Sequence, residues 1–248
     1  MPKGINILIT GCTSTIGRSI VKEFAPNNSL FLISRKSAKD DVLKLKENAL
    51  LLGSNSVTLI EYDLGDSPNS HLNEIVKNNY DLFINLASST SKINDEDIFP
   101  LNHQYHTNID LANPLIIVNN ILEKQMSDKN TNRLTMILIS SILTKISHQD
   151  QYIYTSYKIL QGEYIKRIKN KYNDHFNYLF VYVGSRIDRN KESKKTRKIA
   201  RALKYALNRG KNNITIGYEG KVLLTAHLIH PLLCRLLINI GRLLKNTN

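Results

Sequence analysis

Seven short apolar runs, separated by stretches long enough to form a helix, constrain this chain more than any other feature. The runs are INILIT, SLFLIS, VTLIEY, DLFINLA, RLTMILIS, FNYLFVYV and NITIGY. Most are close to continuous in large apolar residues, as strands are when both faces of their sheet are covered. Parallel neighbours need a long crossover, and the intervening segments have both the length and the helical periodicity for one. The spacing predicts helices over 17–25, 40–52, 70–78, 103–124, 154–172 and 196–208, and in the second of these Val42, Leu43, Leu45, Leu50 and Leu51 are placed to pack on the sheet. An α/β fold follows, a doubly wound parallel sheet with helices on both faces, in the Rossmann-like manner.

No repeat, low-complexity tract or Pro/Gly-rich linker interrupts this order, so residues 1–248 read as a single domain. With 42% apolar and 22% charged residues the chain can bury an ordinary core. Cys12 and Cys234 lie far apart without CxxC or Cys/His ligand spacing, which argues against both a disulfide framework and a metal site. The opening MPKGINILITG reads as a strand entering a loop rather than a secretory signal, so the expectation is a cytoplasmic protein. A net charge of +13 favours anionic partners. No zinc-finger or RNA-binding signature accompanies it, and nucleic acid is not expected.

The first strand runs into Thr10-Gly11-Cys12-Thr13-Ser14-Thr15-Ile16-Gly17 and then into the helical RSIVKEFA. A glycine at the strand end permits a tight turn, and one at the helix start lets backbone approach a pyrophosphate at the positive helix end. Here the chain resembles the short-chain dehydrogenase/reductase family, whose fingerprint at this place is TGxxxGxG. The resemblance implies that Gly11, Thr13, Ser14, Thr15, Ile16 and Gly17 border the phosphates of a nicotinamide cofactor. Thr15 stands where the family has its middle glycine, and the Thr13 and Ser14 hydroxyls are available to phosphate.

The second strand ends at Ser34-Arg35-Lys36, where an NAD-selective site places an acid for the ribose 2′-hydroxyl. An arginine beside a small polar residue suits a 2′-phosphate, with Arg18 adding charge from the helix start, so NADP(H) is favoured over NAD(H). The third strand ends in Tyr62-Asp63-Leu64, similar to the family's acidic-apolar step beside adenine. The fourth ends in Asn85-Leu86-Ala87-Ser88, similar to the family's NNAG with Ser88 in place of the last glycine. Asn85 is expected to brace the sheet, and Ala87 to border the cofactor.

The stretch MILISSILTKISHQDQYIYTSYKIL carries a serine pair at a strand end and a Tyr-x-x-x-Lys pair at a helix start. Residues four apart share a helical face, so Tyr154 and Lys158 can point into one cleft. A neighbouring ammonium favours the phenolate and lowers the tyrosine's pKa. The family resemblance implies that Tyr154 is the acid/base group and that Lys158 tunes it and holds the ribose hydroxyls. It also implies that Ser141 binds the substrate oxygen and that Asn108 keeps a proton-conducting water in place. Ser141, thirteen residues before Tyr154, is chosen over Ser140 on the family's interval. Tyr152 and Tyr157 have no lysine four residues on, and Tyr157 reads best as a helix-packing residue.

After the sixth strand the family's Pro-Gly step becomes Val183-Gly184, and the resemblance places Gly184 and the Ile187 backbone beside the nicotinamide amide. Basic residues from Arg186 to Lys211 suggest a lid over 186–211 that attracts a phosphate-bearing substrate, or equally a solvated helix face. The tail forms an amphipathic helix over about 231–245, suited to a membrane surface, a partner subunit or the sheet itself. This end is similar to that of the decaprenylphosphoryl ketoribose reductases, which also carry a side chain at the Thr15 position. The leading expectation is an NADP(H)-dependent ketoreductase exchanging hydride with a small-molecule carbonyl or alcohol, such as a keto-sugar or a lipid-linked or phosphate-bearing intermediate of polysaccharide or cell-envelope synthesis. The alternative is a non-catalytic nucleotide-sensing or scaffolding protein on the same fold. By resemblance, a homodimer or homotetramer is expected.

Overall fold

The computed structural model describes residues 3–68, 71–89, 103–129, 132–146, 152–184, 192–230 and 237. All seven expected strands are present: β1 (Asn6–Thr10), β2 (Ser29–Ser34), β3 (Ser56–Glu61), β4 (Leu82–Asn85), β5 (Leu134–Ser141), β6 (Phe176–Val183) and β7 (Asn213–Ile216). They form one sheet in the order β3-β2-β1-β4-β5-β6-β7, parallel throughout. The chain first winds outward from β1 to β3, then returns to lay β4 on the other side of β1 and winds the opposite way. A crevice therefore opens beyond the ends of β1 and β4, where ligands bind in doubly wound sheets.

Alternation along the strands sends side chains to two cores. Leu8, Phe31, Phe83, Met136 and Leu138 pack on one side of the sheet, while Ile7, Ile9, Leu30, Leu32, Ile84, Ile137 and Val181 pack on the other. The second side is covered by α1 (Thr15–Phe24), α2 (Lys39–Leu51) and α8 (Lys194–Asn208). In α1, Gly17, Ile20, Val21 and Phe24 recur at helical spacing and all are buried. The first side takes α3 (His71–Ile75), α5 (Asn113–Ser127) and α7 (Tyr152–Tyr172).

The helix expected over 103–124 is interrupted. It consists of α4 (His103–Thr107), a π-helical turn over Asn108–Ala112, and α5. Two further helices were not expected: α6 (Leu143–Ile146), directly after β5, and α9 (Tyr218–Ile229), directly after β7.

The basic segment read as a lid divides into two parts. Arg186 to Lys191 lie outside the described residues. Residues 194–208 form α8, which buries Ile199, Ala200, Leu203 and Ala206 in the core, and Ser19 in α1 donates to Thr196 at 2.8 Å. This part is a structural layer rather than a lid, because its apolar stripe must be covered. The tail helix expected over about 231–245 lies outside the described residues apart from Leu237.

Phe24 closes α1 with no exposed surface. Phe24→Ala should cost about 3–5 kcal/mol, read as a lower denaturation midpoint in urea.

Candidate active site

In a parallel sheet all strands end on one edge, and this edge collects most of the residues named from the sequence. Gly11 follows β1, Ser34 ends β2, Asp63 and Leu64 follow β3, Asn85 ends β4, Ser141 ends β5 and Gly184 follows β6. At the crevice, the buried Thr10 hydroxyl donates to Asn85 Oδ1 at 2.7 Å and accepts from the backbone N–H groups of Leu86 and Ala87 at 3.3 and 3.4 Å. Asn85 thus links β1 to β4 where their chains diverge.

The turn after β1 needs its glycines. Gly11 has φ +64°, and a Cβ there would lie 2.8 Å from Ala87 N. A Cβ at Gly17 would lie 2.3 Å from the Gly11 carbonyl oxygen and 2.6 Å from that of Cys12. Ser14 caps α1, accepting from Gly17 N–H at 3.0 Å and donating to the Gly11 carbonyl at 2.8 Å. Thr15 starts α1 and is partly exposed, as are Thr13 and Ile16. Beneath the turn, burial pushes the Cys12 thiol up to about 12, and its Sγ donates to the Ile33 carbonyl. The arrangement is a tightly closed backbone cradle on the N-terminus of a helix, which fits the phosphates of a dinucleotide.

At the end of β2, Ser34 is half-buried and Arg35 is exposed. Arg18 lies across the turn, donating to the Thr13 carbonyl at 2.9 Å and pairing with Asp41 at 3.1 Å. Asp63 accepts from Gly65 N–H at 2.9 Å and from the Tyr105 hydroxyl at 3.3 Å. Leu64 is buried in the core, and the Tyr105 ring lies so close to Gly65 that a Cβ there would overlap it. Tyr105 carries no sequence signature for this contact, which depends on how α4 docks.

Asn108 opens the π-helical turn. Its side-chain amide donates to the carbonyls of Gly65 and Asp66 at 2.9 and 3.2 Å. Asn113, which the sequence reading did not single out, donates in the same way to Leu64 and Asp66 at 2.8 and 2.9 Å. The π turn puts residues five apart on one face, and Asn113 N–H donates to the Asn108 carbonyl. The side-chain amide of Asn108 therefore holds the loop after β3.

Tyr154 stands half-buried in the first turn of α7, and Lys158 Nζ lies 5.8 Å from its ring centroid. Lys158 is only 3% exposed. Burial pushes its pKa below the ordinary lysine value, and Asp110, whose Oδ1 lies 3.6 Å from Nζ, pushes the other way. Ser141 is half-buried, whereas Ser140 is buried with its hydroxyl 3.4 Å from that of Thr144. Tyr157 is buried and its hydroxyl meets that of Thr107 at 2.8 Å, as a helix-packing tyrosine should.

On the β6 side, a Cβ at Gly184 would lie 2.2 Å from Gly220 Cα. Glycine at 184 is thus required by the approach of α9. Ile187 lies outside the described residues.

A doubly wound sheet with a glycine turn at its switch point and a Tyr/Lys helix beside it defines a dinucleotide-fold protein. Solved short-chain dehydrogenases share this architecture along nearly the whole chain. One from Streptomyces avermitilis is 16% identical, with a TM-score of 0.74 over 99% of this chain and 100% of its own. The acetoin dehydrogenase of Salmonella typhimurium is 15% identical, with a TM-score of 0.73 over 90% and 98%. A short-chain dehydrogenase from Sphingobium yanoikuyae, solved in complex with NADPH, is 14% identical, with a TM-score of 0.70 over 85% and 87%. This chain has the short-chain dehydrogenase/reductase fold. No protein-family model and no curated protein matches its sequence.

Gly17→Ala should destabilise the protein by about 1–3 kcal/mol, because the new methyl meets carbonyl oxygens that cannot move without opening the turn. Chemical denaturation measures the loss.

Proposed function

We propose that this protein is an NADP(H)-dependent oxidoreductase that reduces a carbonyl, or oxidises the corresponding alcohol, in the crevice beyond β1, β4 and β5. The observation that carries the reading is the pairing of Tyr154 with the buried Lys158 on one turn of α7, with Ser141 at the end of β5. The Gly11–Gly17 turn and α1 would hold the cofactor's phosphates, Arg35 its 2′-phosphate, and the edge between Asp63 and Ala87 its adenosine half. The NADPH bound by the Sphingobium yanoikuyae relative supports this choice of ligand.

When bound, the nicotinamide ring would supply or accept the hydride. Tyr154 gives its hydroxyl proton to the substrate oxygen in reduction and recovers it in oxidation. The Lys158 ammonium favours the phenolate during that exchange and holds the ribose hydroxyls. The Ser141 hydroxyl donates to the same substrate oxygen and fixes its direction. Asn108, at the π turn packed against α7, would keep the water through which the proton reaches Tyr154.

A phosphate-bearing or lipid-linked carbonyl, such as a keto-sugar of envelope polysaccharide synthesis, is the substrate class we favour. A helix begins on the edge where its preceding strand ends. The exposed Lys194, Lys195, Arg197 and Lys198 of the first turns of α8 thus lie near the crevice. Tyr218, at the start of α9 just after β7, and Leu228 and Ile229, at its far end, are strongly exposed apolar residues and support contact with a lipid-linked substrate or a membrane surface. No helix among the described residues is long and apolar enough to cross a membrane. Exposed Ile159, Leu160 and Tyr164 on α7 support association of two or more copies.

Calorimetry should find NADPH bound more tightly than NADH, with Arg35→Ala bringing the two together; no binding of either cofactor would leave a fold kept for another purpose. With a panel of reactive carbonyls, Tyr154→Phe should lower kcat about 10²–10⁴-fold while NADPH still binds. A wild-type protein that binds NADPH but reduces nothing in the panel would favour the nucleotide-sensing alternative.

A further inference from the structure

The Lys158 ammonium is almost sealed from water, yet the reductase reading requires it to be charged. Its carboxylate neighbour, Asp110, is 1% exposed and comes from the π-helical turn. Among the described residues, the serine pair 88–89 supplies three hydrogen bonds to Asp110. Ser88 donates through its hydroxyl to Oδ1 at 2.8 Å, Ser89 through its backbone N–H to Oδ2 at 3.1 Å, and Ser89 also through its hydroxyl to Oδ2. Lys158 Nζ lies 3.6 Å from Oδ1, at ion-pair distance.

On the other side of Nζ, Gln161 is fully buried and presents its carbonyl oxygen at 3.5 Å, leaving its own Nε2 without a hydrogen-bond partner. That orientation suits a cation. From its own helix Lys158 also faces the Tyr154 ring, and the segment after β4 presents the neutral Ser88 and Ser89 through Asp110. Among the described residues Asp110 is the one charged group shown to act on Lys158.

We propose that Asp110 is a positioning residue of the site: it is the counter-ion that keeps Lys158 protonated and aimed, and it is itself held by the serine pair that follows β4. This rests on the reductase reading and deepens it. The inference also accounts for Ser88, which stands where the related pattern has glycine: its hydroxyl orients the carboxylate. A buried ammonium left without its counter-ion gives up its proton at lower pH, since desolvation then acts unopposed. In Asp110→Asn the shape and most of the serine contacts stay, and the charge goes.

The test uses full-length protein labelled with ¹³C at lysine Cε, the Lys158 resonance being assigned with Lys158→Arg. In Asp110→Asn it should titrate at least roughly one pH unit below its wild-type position. NADPH affinity by calorimetry, level for wild type from pH 6.5 to 9, should fall at least about fivefold over that range in the variant, a pH dependence that a merely structural role would not produce. Coincident titrations and parallel affinity curves would overturn the proposal. If Asp110→Asn does not fold alone, the double variant Lys158→Met, Asp110→Asn carries the test. A melting temperature above that of Lys158→Met alone supports the pair, and one below it counts against it. A wild-type protein that fails to bind NADPH removes the reductase reading, and the titration then decides the ion pair by itself.

Discussion

Two parallel strands that must stay in register while the chains leaving them turn opposite ways set the terms for everything else in this fold. The bond from Thr10 to Asn85 meets that demand at the last residues of β1 and β4. Because the Thr10 hydroxyl also receives the N–H groups of Leu86 and Ala87, the strand following the crevice is tied down as far as its exit loop. Gly11 can then press its backbone against that loop, and Gly17 can press against Gly11. The cradle is thus a product of close backbone packing within the chain, formed whether or not an anion lies in it.

A second tie sits on the opposite face. The π turn over Asn108–Ala112 gives α4 and α5 an extra residue, and the register this creates lets Asn108 and Asn113 grip the same loop after β3. It also turns Asp110 into the interior, toward α7 and the end of β4. π bulges persist where their cost is offset by function or packing, and here three separate segments meet on a single carboxylate.

Much of this was legible in the sequence. The strands could be read because both faces of each are covered, so their apolar runs are nearly unbroken; α1 and α8 could be read because their apolar stripes repeat at helical spacing. The glycine turn and the Tyr154/Lys158 pair are local in the chain and so carry local signatures. What escaped was tertiary. The π turn has no periodicity that distinguishes it from an α-helix, so 103–124 read as one continuous element. Asp110 carries no local signature and Ser88 read as the replacement of a glycine, because the bond between them exists only after folding. Tyr105 against Gly65, and Gly220 against Gly184, are likewise contacts between segments that the sequence keeps apart.

The Gly184–Gly220 contact leaves no room for a hydrogen to become a methyl on either side. Since α9 also meets α6, which follows the end of β5 closely, the spacing between these two backbones ties the end of β6 to the segment after Ser141. A carbon atom added at either glycine would have to push these two backbones apart, because the contact is backbone on both sides.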